Sequence, residues 1–67
     1  MAAIYTVDIK CRCTKDCSDF GVKAGEVFTG RVELWRTAAP LFIIYCPGSK
    51  PIKCLHHWFA DYFELIQ

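Results

Sequence analysis

Five cysteines and two histidines hold most of the chemistry open to this chain. Cys11, Cys13, Cys17, Cys46, Cys54, His56 and His57 are all donors that zinc accepts. Structural zinc is usually gripped by knuckles in which two cysteines, two to four residues apart, wrap their sulfurs around the ion. Cys11 and Cys13 are instead separated by one residue in an alternating segment, which sets their Cα atoms about 6.6 Å apart on one side of a strand. That spacing predicts core thiols, since cysteine packs as a small hydrophobe. No metal site and no cofactor is therefore expected, with a small zinc-stabilised structural domain as the second alternative reading. If zinc bound, its ligands would be Cys17, Cys54 and His56, which fall in loops and at strand ends.

A thiol activated by His56 or His57 is the second chemistry to weigh. A nucleophilic thiolate needs an electropositive, partly exposed setting, a base within reach and an oxyanion hole. Nothing in the pattern supplies such a pocket. The chain has seven carboxylates, and no pair of them is singled out for acid–base work, so the chain is not expected to be an enzyme. Nucleic acid is the third option. Lys10, Arg12, Lys15, Lys23, Lys50 and Lys53 could track phosphates while Trp35, Tyr45 or Trp58 stacked on bases. Asp8, Asp16, Asp19, Glu26 and Glu33 interleave with those cations, and the net charge is only +1. A mixed-charge surface follows, with nucleic acid as the alternative partner and not the favoured one.

The elements that must position these groups are small. Sixty-seven residues leave room for one core, so residues 1–67 are read as a single domain and a multidomain enzyme is excluded. A composition 54% hydrophobic and 22% charged argues against disorder. The longest apolar run, residues 38–46, is broken by Pro40 and falls well short of the roughly 20 residues a membrane helix needs. Residues 1–5 lack a basic n-region and a long apolar stretch, and five cysteines cannot all pair. The expected compartment is the cytoplasm, with reduced thiols.

Val7, Ile9, Cys11 and Cys13 alternate with Asp8, Lys10 and Arg12, which predicts a strand with one apolar and one charged face. Residues 14–25 form a long, turn-rich connection pinned to the core by Phe20 and Val22. Residues 26–35 read as a second strand, where the mid-strand Gly30 predicts a bulge or sharp bend. Residues 36–40 connect it to a third strand over 41–46. Pro47 and Gly48 then suit the two central positions of a type II turn. A fourth strand over 51–57, a single 3₁₀ or helical turn within 58–62 and a fifth strand over 63–66 complete the chain. Apolar residues at 58, 59, 62, 63, 65 and 66 also allow a helix over 56–66, the competing reading. The class is mainly β.

The runs Lys10-Cys11-Arg12-Cys13-Thr14-Lys15-Asp16, Phe20-Gly21-Val22-Lys23-Ala24-Gly25-Glu26-Val27-Phe28 and Trp58-Phe59-Ala60-Asp61-Tyr62-Phe63-Glu64-Leu65-Ile66 carry a resemblance. Their order is similar to that in small phage and prophage proteins of SH3-like type. The resemblance implies a five-stranded, partly open barrel with one 3₁₀ or helical turn before the last strand. It also implies a phage protein that manages a host enzyme or defence complex.

Residues 41–46 set Leu41, Ile43 and Tyr45 on one side and Phe42, Ile44 and Cys46 on the other, so both faces of the third strand are apolar. A barrel this small has one interior, and the second face needs cover from another chain or from its own ends. The expected function is protein binding, by occluding a host protein (as an inhibitor or modulator) or by self-association. Trp35, Phe42, Ile44, Tyr45 and Trp58 are the expected contacts, with Arg31 and Arg36 at the rim. The competing account folds Met1–Tyr5 or the C-terminal turn over this face.

Overall fold

A computed structural model describes residues 5–66. The elements follow the order β1 (Tyr5–Cys13), β2 (Val27–Leu34), β3 (Leu41–Ile44), β4 (Ile52–Leu55), α1 (His56–Tyr62) and β5 (Phe63–Ile66). The five strands are antiparallel and form one open sheet in the order β4-β3-β2-β1-β5, with α1 linking its two marginal strands. The chain is thus mainly β with one short helix.

Ladder register sorts side chains by face, because directly opposite residues share a face. Ile9, Gly30, Ile44 and Ile52 form one row across four strands, and Val7, Val32, Phe42 and Cys54 form the next. This inner face meets α1. Phe59 of the helix stacks on Phe42 with ring centroids 4.4 Å apart and on Phe63 at 5.6 Å, and Phe63 meets Phe28 edge-on at 6.0 Å. Cys11, Cys13, Cys17, Val22, Phe42, Ile44, Ile52, Phe59 and Phe63 make one buried cluster, and Cys46 and Cys54 pack against it. All five thiols are free, and Cys11 and Cys13 lie in the core, as their C-x-C spacing predicts.

Two expectations change. The β1–β2 register runs unbroken from Tyr5 opposite Leu34 to Arg12 opposite Val27, so Gly30 makes no bulge. It is there for space: a Cβ at this position would strike the Ile43 carbonyl oxygen and stand 3.1 Å from Ile44 Cα. Second, β4 stops at Leu55 and the helix begins at His56, two residues before the expected turn. The fifth strand is as expected: Phe63–Ile66 pair with Cys13–Lys10 of β1, and the competing helix over 56–66 ends at Tyr62. The turn after β3 is as expected. Ser49 N donates to Cys46 O at 3.0 Å and Gly48 takes φ 74°, the type II geometry that only glycine adopts without strain.

Candidate docking surface

The structure splits the expected contact residues between two faces of the sheet. Phe42 and Ile44 are 7% and 0% exposed and lie on the inner face, so neither is available to a partner. Alternation shows which residues share a face and leaves open which face is inward; the packing of α1 decides it here. The opposite face of β3 is not left bare either. Ile43 is 2% exposed between Arg31 and Lys53, its ladder partners on either side. Arg31 reaches from its place beside Ile43 to Tyr45, donating from Nη1 to the Tyr45 hydroxyl at 2.7 Å and from Nε to Glu33 Oε2 at 3.1 Å. These hydrogen bonds raise the Arg31 guanidinium above its ordinary value, with Tyr45 contributing most. An arginine can lay its apolar stem over a neighbour while its head stays in water, and Arg31 is the direct ladder partner of the buried Ile43. Thus β3 has two apolar faces, and the monomer covers both over Phe42, Ile43 and Ile44.

Tyr45 remains 39% exposed on the outer face, Arg36 is exposed and Trp35 is half-buried. Trp58 lies on the other side of the sheet with α1, so no single aromatic patch unites it with Tyr45. The competing account, a cover from Met1–Tyr5, falls for residues 1–4 outside the described residues; Tyr5 itself is 61% exposed.

The other candidate chemistries also come apart. Among the described residues no three His, Cys, Asp or Glu side chains converge as a metal site, so Cys17, Cys54 and His56 are not brought together. Burial pushes the Cys54 thiol up to about 11, and burial followed by the neighbouring thiols Cys13, Cys46 and Cys54 pushes Cys11 to about 11. Burial likewise raises Cys13 and Cys46. Such thiols stay protonated at neutral pH and are poor nucleophiles. Of the basic residues, Arg12 pairs with Glu64 at 3.1 Å, and the Lys15 ammonium sits 4.7 Å above the Tyr62 ring.

A different site emerges from the long first connection. Cys17 and Val22 form a two-way backbone bridge, with N–H to O distances of 2.9 and 3.2 Å. Gly21 takes φ 70° in the turn they close, and the loop is fastened by Ala24 N donating to Asp16 Oδ1 at 2.8 Å. Cys13 closes its base, donating to Glu26 O and accepting from Gly25 N, both at 2.8 Å. This framework holds Phe20 outward at the turn. Its ring meets Trp58 edge-on, with centroids 5.4 Å apart and planes at 87°. Trp58 is held in turn by Tyr62, one helical turn on, at 4.5 Å.

Between this aromatic pair and β4 runs a cleft of about 260 Å³, lined by Phe20, Ile52, Lys53, Cys54, Leu55, His57 and Trp58. Phe20 is 48% and Leu55 44% exposed along it. Sequence reasoning placed Trp58 on a docking surface and missed Phe20, Leu55, Lys53 and His57. The signal for Phe20 was a large aromatic in an otherwise polar, turn-rich segment. Leu55 carried no comparable signal, because its exposure depends on β4 being a sheet margin. No protein-family model matches the chain, and neither a curated protein nor a solved structure matches it.

Proposed function

We propose that the chain is a small SH3-like protein-binding module that acts by occlusion, covering a surface of another protein and transforming no substrate. The SH3-like reading is supported by the strand order β4-β3-β2-β1-β5, the long connection before β2 and the short helix before β5. With the resemblance of its sequence comes the phage origin and a host protein as target, met in the host cytoplasm. Five free thiols suit that reducing compartment.

The observation that carries the binding reading is the cleft between Phe20, Trp58 and Leu55. Exposed apolar side chains gathered around a concave site mark places where partners dock, unlike ones scattered singly, and aromatic side chains dominate such contacts. The site keeps Trp58 from the expected contact set and replaces Phe42 and Ile44 by Phe20 and Leu55.

The test is capture from a host lysate, followed by reconstitution of the captured protein with the purified chain. Phe20→Ser should lose the complex with circular dichroism unchanged. Leu65→Asp, at an exposed leucine on the other sheet margin, should keep it. Equal loss in both variants, or retention in Phe20→Ser, overturns the cleft as the docking site. A mobility shift with nucleic acid that weakens steeply between about 50 and 200 mM salt would favour the nucleic-acid reading instead.

A further inference from the structure

The placing of the cleft shows how a partner would be held. Ile52, Lys53, Cys54 and Leu55 all line it, and they are the four consecutive residues of β4. A hollow on the face of a sheet meets alternate residues, because successive side chains point to opposite faces. One lined by four residues in a row follows the margin of the strand, where backbone N–H and C=O groups point outward. Among the described residues β4 pairs with β3 alone and ends the sheet. The cleft is therefore a strand margin with an aromatic wall beside it.

Resting on the docking reading above, we propose that β4 receives an extended, acidic segment of another protein as an added strand. Main-chain hydrogen bonds would provide affinity in this mode, and alternate side-chain sites would provide selectivity. The wall of Phe20 and Trp58 stands on the inner side of the margin and suits every second residue of the incoming segment, an apolar one. Lys53 is on the outer side with Leu55, and the lining contains no carboxylate, so the intervening residues meet a cation with no competing anion. A second copy of the chain fits poorly. Self-pairing of β4 centred on Lys53 opposes two ammonium groups, and centring it on Cys54 sets each ammonium against Leu55. A lysine on a marginal strand is a recurrent guard against such edge-to-edge pairing.

The experiment pans a displayed library of random heptapeptides over the full-length chain, then titrates selected peptides into the isotopically labelled protein. Selected sequences should alternate apolar with acidic residues, shift the backbone amides of Ile52–Leu55 and bind far more weakly when alternate peptide nitrogens are methylated. Lys53→Glu should weaken them about tenfold, twice the range of one cross-strand charge pair. If selected peptides need Phe20 but tolerate N-methylation, strand addition is overturned and the docking reading stands. If they bind away from Phe20 and β4, or none is selected, both fall.

Discussion

Replacing Leu55 by aspartate separates binding from folding. Leu55 is the N-cap of α1, at φ −86° and ψ 168°, and its side chain makes no capping hydrogen bond. Those dihedrals are the ones a capping residue uses, so an aspartate there can accept from the N–H of His57 or Trp58. That gain is about 1 kcal/mol, with about 0.5 kcal/mol more from a carboxylate at the positive end of the helix. Against it stands the loss of a leucine that is 44% exposed, about 1 kcal/mol for its buried half. Losing the cross-strand contact with Leu41 adds about 0.5 kcal/mol. The terms nearly cancel. The melting temperature should move by less than about 4 °C in a domain of this size. Binding should respond otherwise, because the substitution sets a carboxylate in an apolar cleft that receives an acidic segment. Affinity for the selected peptides should fall at least tenfold, about 1.4 kcal/mol. Scanning calorimetry and fluorescence titration measure the two quantities on one sample. A melting temperature lowered by more than about 8 °C would mean that Leu55 belongs to the core, and unchanged affinity would mean that the cleft is not the site.

Gly30→Ala should cost about 2–4 kcal/mol in urea unfolding, the overpacking penalty plus strained β2–β3 hydrogen bonds less the gain from alanine; a loss under 0.5 kcal/mol would refute the close approach of Ile43. Alkaline pH should destabilise the fold, because the neutral thiol is the form that burial favours. Cys11 and Cys54 move from 9.0 to about 11, so their contribution is whole below pH 9 and lost as pH rises to 11. The two together give a slope of at most about 2.2 kcal/mol per pH unit near pH 10. Urea midpoints at pH 8 and 10.5 measure it, and a slope that Cys11→Ala leaves unaltered would contradict the assignment.

Most of the strand pattern was legible because its cause is local. Val7, Ile9, Cys11 and Cys13 alternate with charged residues, and Pro47-Gly48 satisfies its turn by its own dihedral preferences. The start of α1 was not legible, since Leu55 offers no capping group and the two histidines after it favour no particular structure. Its place is set by the burial of Phe59 between Phe42 and Phe63, a tertiary effect. The site suffered for the same reason. Whether Phe42 or Ile43 faced inward depended on which side of the sheet α1 occupied. The value of Leu55 depended on β4 lying at the margin. Gly30 was recognised as special, but the crowding that explains it comes from the backbone of another strand.

The helix also has a mechanical consequence. A flat sheet would hold its two marginal strands, β4 and β5, about 19 Å apart at ordinary strand spacing. The seven residues of α1 span only about 10 Å. The tether is shorter than the gap it crosses, so curvature is imposed by chain length as well as by twist. The helix thus acts as a clasp that sets how far the two borders of the sheet stand from each other.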